Sequence, residues 1–393
     1  MTPSARVQAA IDILDAVIKA ARTNGPPADR VVAEWARSNR YAGSKDRRAV
    51  RELVYDAIRA CGPAPLSGRA AMLRLARSGD TLEALFDGSQ YGPALITDGE
   101  RPAEGGFAPD WLTQRLEASG LENEDEAALL GRAPLDVRVN ALKADRDTLD
   151  LPVEGEPLVA PHALRFPAGT QVEQWEAFRE GMIEVQDLGS QIACMAAEAR
   201  PGETVIDLCA GAGGKTLALA AAMENRGTLV ASDTDRGRLA KLGPRAERAG
   251  AGIIETVLLD PGKELEALAK WQGKADCVFV DAPCSGTGTL RRKPEAKWRI
   301  NEEGLLRYAA AQDRLLDIAA RLARPGGRVV FVTCSLLDIE GADRFHTFLD
   351  RHPETTADTP ALPAGQTRGK GMRLTPFHDG TDGFFIARAA LSC

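Results

Sequence analysis

The chain has 393 residues, 44% hydrophobic and 27% charged, which is material for two or three compact domains of about 100 to 200 residues. It contains no run of about 18 apolar residues. Its N-terminus alternates charge into its apolar positions, unlike a secretory signal, so a soluble cytoplasmic protein is expected. A net charge of -7 excludes coating of nucleic acid through bulk electrostatics, and seven cysteines without a C-x-x-C pair or a Cys/His cluster exclude a disulfide framework and a metal site.

From Val7 to Arg59 the apolar residues fall at helical spacing: Ile11, Leu14, Val17 and Ile18, then Val31, Val32 and Trp35, then Val50, Leu53, Val54 and Ile58. Pro26 and Pro27 separate the first helix from the second, and Ser44 is placed as the N-cap of the third. Helical patterning continues over 71–76 and 81–86, and Pro109-Asp110-Trp111 opens a further helix after a Pro- and Gly-rich connector. Residues 1–125 therefore read as an all-α domain. Leu135 to Asn140 alternates as a strand does, and 126–176 reads as a small α/β subdomain.

Two basic patches interrupt the acidic body. One carries Arg37, Arg40, Lys45, Arg47, Arg48 and Arg51 against Asp46, and the other carries Arg291, Arg292, Lys293, Lys297 and Arg299 against Glu295. Such patches suit a protein that grips phosphates at chosen places, with Arg47, Arg48, Arg291 and Arg292 as candidate RNA contacts. A solvated helix face is the alternative for the first patch.

From residue 177 to 393 strands and helices alternate, the mark of a parallel sheet covered on both faces. The expected strands are 204–208, 228–232, 255–259, 276–280 and 328–332, with 372–376 and 383–387 as an antiparallel edge around a turn at His378-Asp379-Gly380. After the first strand comes Cys209-Ala210-Gly211-Ala212-Gly213-Gly214-Lys215, whose glycines let the backbone turn and approach a ligand at a helix start. The Walker spacing fails, because its first glycine would fall on Cys209. Asp233, twenty residues beyond Gly213, stands where an acid bonds a ribose hydroxyl. Asp260 is either a partner for an adenine amine or a turn former before Pro261 and Gly262. A nicotinamide cofactor fits this loop too, but gives no reason for two thiols at the strand ends.

Cys284, in Asp281-Ala282-Pro283-Cys284-Ser285-Gly286, and Cys334, in Thr333-Cys334-Ser335, each lie just beyond a buried strand. Neighbouring strands are about 4.8 Å apart, so both thiols would look into one crevice. C5 of cytosine is a poor nucleophile; a thiolate adding to C6 makes it an enamine that accepts a methyl group from S-adenosylmethionine. The reaction needs a low-pKa cysteine, an acid at N3 and a nearby cation. Asp281 can hold N3 and the exocyclic amine, and Lys297 or Arg291 can bias the thiolate.

These blocks, extended by Leu290-Arg291-Arg292, Pro294-Glu295 and Lys297-Trp298, resemble the signatures of RNA (cytosine-C5)-methyltransferases of the bacterial Sun/RsmB kind. Arg138-Val139-Asn140, Val185-Gln186-Asp187 with Gly189-Ser190, and Asp382-Gly383-Phe384-Phe385 add matches outward, and the helical N-terminus resembles a NusB-like RNA-binding domain. The loop departs from the usual Cys-Ala-Ala-Pro-Gly-Gly-Lys at Gly211-Ala212, where cofactor binding is still expected. The resemblance implies a Rossmann-like methyltransferase domain over 177–393, joined through the small subdomain to the NusB-like domain. It implies S-adenosylmethionine as cofactor, held by Cys209 to Lys215, Asp233, Asp260 and Asp281, and ribosomal RNA as partner, with a monomer expected. It further implies that Cys334 attacks C6 and Cys284 assists product release. A transfer-RNA enzyme, a non-catalytic assembly factor and a DNA methyltransferase are the competing readings.

Overall fold

The computed structural model describes residues 1–77 and 79–392. They form two compact units, one of Met1–Gly131 with Thr289–Asn301, the other of Arg132–Gly288 with Glu302–Cys393.

The first unit is all-α. Helices Pro3–Arg22, Ala28–Ser38, Ser44–Ala60 and Gly68–Ala76 bury Ile11, Leu14, Val17, Val32, Val50, Val54 and Met72 in one core. Pro26 and Pro27 fill the break between the first two. The N-cap of the third helix is Gly43, not Ser44: the Asp46 carboxylate reaches back to the Gly43 N–H at 3.3 Å, while Ser44 is already helical. Short helices Asp110–Ala118 and Asn123–Leu130 complete the unit, so its boundary falls after 131 and not after 125.

Segment 289–301 also belongs here, a departure from an unbroken domain over 177–393. Glu295 accepts a hydrogen bond from the Ala28 N–H at 3.0 Å, and Trp298 Nε1 donates to the Gly62 carbonyl at 3.1 Å. No helix among the described residues is long and apolar enough to cross a membrane.

The second unit holds two sheets. The smaller has strands β1 (Leu135–Val139), β2 (Glu156–Pro157), β3 (Ala163–Phe166) and β4 (Ile183–Val185) in the order β2-β3-β1-β4. β4 lies beyond residue 176, so the expected subdomain over 126–176 does not close on itself. It is tied into the same unit as the larger sheet, with Asn140 Nδ2 donating to the Ala249 carbonyl at 2.8 Å and Arg165 to the Gly380 carbonyl at 2.9 Å.

The larger sheet has β5 (Thr204–Asp207), β6 (Thr228–Asp233), β7 (Ile254–Leu258), β8 (Ala275–Asp281) and β9 (Ala323–Thr333) as its parallel centre. Beyond these run β10 (Thr355–Ala357), β11 (Gln366–Arg368), β12 (Gly371–Leu374) and β13 (Phe384–Leu391). The order is β11-β12-β13-β9-β8-β5-β6-β7, with β10 on β13. Alternate residues face opposite layers. Val205, Leu229, Cys277 and Phe279 pack on helices Leu188–Met195, Gly214–Ala222 and Leu242–Ala249. Ile206, Val230, Val278 and Phe331 pack on helices Glu302–Leu322 and Ala342–Arg351. This is a Rossmann-like α/β architecture. The expected antiparallel pair exists, but it is not the edge: β13 runs between β12 and β9, and the polar strand Gln366–Arg368 lies outside, without apolar alternation to announce it.

Candidate active site

β8 and β9 are parallel neighbours with Asp281 opposite Val332, so the loops leaving them emerge side by side. Cys284 Sγ and Cys334 Sγ stand 3.4 Å apart. The pair shares a proton unequally. The hydrogen bond from Cys284, and more weakly the charge of Lys215, hold the Cys334 thiol below its ordinary value against burial and the Asp281 and Glu340 carboxylates. Cys284 is driven well above its ordinary value by its bond to Cys334 and by burial. Burial above all pushes the other described cysteines up, Cys61 to about 11, Cys194 and Cys277 to about 12, and Cys209 further. Cys334 is thus the one described cysteine whose thiol is held below its ordinary value. Cys393 lies outside the described residues.

The cation beside the thiols is Lys215. Its Nζ is 2.6 Å from Asp281 and 5.4 Å from the centre of the Phe384 ring. Burial is the largest influence and disfavours its charge, but the Asp281 carboxylate together with Cys194 and Cys334 outweighs it and keeps the ammonium protonated. The expected cations are placed differently. Lys297 is fully buried in the helical unit, its Nζ donating to the Phe107 carbonyl at 2.8 Å, and burial lowers its pKa to about 8. It is a structural donor there, which a charge run in sequence does not reveal. Arg291 is 6% exposed and so is not a surface contact, whereas Arg292 is exposed. Arg47 and Arg48 are exposed on helix Ser44–Ala60, where with Arg51, Trp35 and Asp29 they line a groove of 390 Å³.

The glycine loop joins β5 to helix Gly214–Ala222. Gly213 has φ +85°, and a side chain there would meet Leu242 at 2.1 Å, so only glycine fits. Gly211 also has positive φ, and its N–H donates to Asp233 at 2.7 Å. The loop is propped from behind: Ala210 N–H donates to the Ser232 carbonyl at 2.9 Å, and Arg245 to the Ala212 carbonyl at 2.6 Å. Gln186, gripped by Arg138 at 2.7 Å, reaches the Gly214 carbonyl at 3.5 Å. The outlying motifs around Arg138 and Gln186 are therefore supports for this loop.

The residues present fit S-adenosylmethionine. Nothing stands within 4 Å of where a Gly214 side chain would lie, so the helix start faces open space. Asp233 ends β6 and Asp260 follows β7, both at the carboxyl edge of the sheet. Asp207 carries its charge at a cost: burial raises its pKa to about 7 against its hydrogen bond from Thr216, with the charges of Asp281 and Asp233 adding to the rise. Its Oδ1 has no partner among the described residues. Three carboxylates around a loop suit a nucleoside carrying a positive charge and would repel the pyrophosphate of a dinucleotide. Cys209 to Lys215, Asp233, Asp260 and Asp281 are the residues that would hold it.

Between the thiol loops lie residues that motif spacing does not single out. Ser285, Thr287, Ser335 and Glu340 form one hydrogen-bonded cluster there. The two serines are visible in sequence as the residue after each cysteine, but Glu340 gives no signal.

A Rossmann-like sheet, a glycine loop at its first turn and a thiol pair at β8 and β9 define an S-adenosylmethionine-dependent methyltransferase. The profile of the family described as 16S rRNA methyltransferase RsmB/F matches residues 194–390, and the chain belongs to that family. It is 35% identical to the ribosomal RNA small subunit methyltransferase B of Xylella fastidiosa over 71% of this chain and 68% of that protein. It is 30% identical to the protein of that name in Sodalis glossinidius, over 82% of this chain and 75% of that one. Among solved structures it is similar to PH0851, with a TM-score of 0.76 and 25% identity over 99% of each chain.

Proposed function

We propose that this protein methylates C5 of a cytidine in 16S ribosomal RNA through a covalent bond between Cys334 and C6. The observation that carries this reading is the pair of thiols 3.4 Å apart beyond β8 and β9, beside the Lys215–Asp281 ion pair at 2.6 Å.

S-adenosylmethionine, when bound, supplies an electrophilic methyl group. The Asp281 carboxylate accepts a hydrogen bond from the exocyclic amine at the N3 edge of the base. Cys334 adds to C6 as thiolate, which makes C5 nucleophilic. With Cys334 bonded to C6, the hydrogen bond and charge that held the proton on Cys284 are gone, so Cys284 releases that proton to solvent, and once C5 carries the methyl group its sulfur takes the C5 proton. Elimination breaks the bond from Cys334 to C6 and returns the starting thiolate and thiol. The relatives' names and the exposed Arg47 and Arg48 groove support ribosomal RNA as the substrate.

The test supplies the purified chain with labelled S-adenosylmethionine and RNA from a strain lacking the gene. Label should enter 16S ribosomal RNA and digest to 5-methylcytidine. Label confined to transfer RNA would move the substrate, and no label in any RNA would leave an assembly factor as the surviving reading.

A further inference from the structure

Glu340 is fully buried, and the methyl transfer proposed for the thiol pair gives it no task. Its Oε1 accepts the Ser285 N–H at 2.8 Å, and its Oε2 accepts the hydroxyls of Ser335, at 2.6 Å, and of Ser285. Ser285 directly follows Cys284, and Ser335 directly follows Cys334. One carboxylate therefore spans the residue next to each thiol. Other ties lie farther along the first loop: Gly288 N–H donates to the Cys334 carbonyl at 3.0 Å, and Thr287 Oγ1 is 3.1 Å from Ser335 Oγ.

We propose that Glu340 is a positioning residue: its carboxylate clamps the two thiol loops together and so fixes the sulfurs at hydrogen-bond distance. Its charge raises the pKa of both thiols, so its field opposes the Cys334 thiolate and its benefit is geometric. Burial without those three donors would be costly, which makes the clamp rigid. Its role in methylation rests on the two-thiol reading, but the clamp has a readout of its own. Diamide takes two electrons and two protons from a thiol pair, becoming a hydrazine as the disulfide forms, and its rate reports how closely two sulfurs meet.

In Glu340→Ala the Cys284–Cys334 disulfide should form about 10-fold slower or worse, and kcat should fall about 10- to 100-fold, the scale of a misplacement near 1 Å, with KM for S-adenosylmethionine little changed. Glu340→Gln keeps an acceptor for the Ser285 N–H and can donate to Ser335, so it should restore both rates to within about 3-fold. If Glu340→Ala does not fold by circular dichroism, the Ser285→Ala/Ser335→Ala double variant removes two of the three donors and should show the same slow disulfide. A wild-type disulfide rate in either folded variant, or Glu340→Gln as impaired as Glu340→Ala, would overturn the proposal. A wild-type protein that methylates no RNA would sink the methylation reading while the disulfide rates still judged the clamp.

Discussion

At the scale of single residues, the site separates two chemically identical thiols by their neighbours. Cys334 receives the Cys284 hydrogen bond and has Lys215 against the Asp281 and Glu340 carboxylates, whereas Cys284 has the Cys334 charge and Glu340 with no cation among the described residues to offset them. Lys215 is therefore the side chain to remove. Lys215→Met takes away a positive charge that favours the thiolate, so the midpoint of Cys334 alkylation by iodoacetamide should move to higher pH, with alkylation lost first on the acid side. An unmoved profile would show that Lys215 does not act on the thiol. Cys334 and Cys284 were legible in sequence because each lies within three residues of the end of its own strand. The Lys215 role was not, since its partners Asp281 and Cys334 lie far along the chain and only the sheet order brings them to it.

At the scale of elements, the carboxyl edge of the sheet is a set of loops held to one another by backbone. Gly288 shows how little room remains: a side chain there would stand 2.1 Å from the Gly383 carbonyl, and the Gly383 N–H donates to the Gly288 carbonyl at 2.8 Å. Gly288→Ala should cost about 1–3 kcal/mol of stability, because neither backbone can retreat. A melting temperature equal to wild type would contradict that packing. The parallel strands could be read from their apolar runs, and the Cys209 to Lys215 loop from its glycines, since both signals are local. β10 and β11 escaped because three mostly polar residues on a partner strand carry no period of their own. Gly43 escaped as a cap because its carboxylate partner sits three residues downstream, beside a serine that looked sufficient.

At the scale of the whole molecule, the chain is an acidic protein with local basic surface, built as a helical unit and an α/β unit. The alternation of helix and strand made both visible in sequence. Their borders were not, because 289–301 reads as part of the α/β sequence yet packs by Glu295, Lys297 and Trp298 into the helices. A basic run looks the same in sequence whether it lines a site or anchors a segment, and here burial decided it for Lys297 and Arg291.

The proposed division of labour between two cysteines 3.4 Å apart is open to direct test. The Cys284→Ala variant is incubated with RNA and S-adenosylmethionine and run on a denaturing gel. The protein should accumulate as a covalent adduct with RNA, because Cys334 still adds to C6 and no sulfur remains to take the C5 proton. The Cys284→Ala/Cys334→Ala double variant should give none. An adduct that forms in Cys334→Ala and requires Cys284 would contradict the assignment.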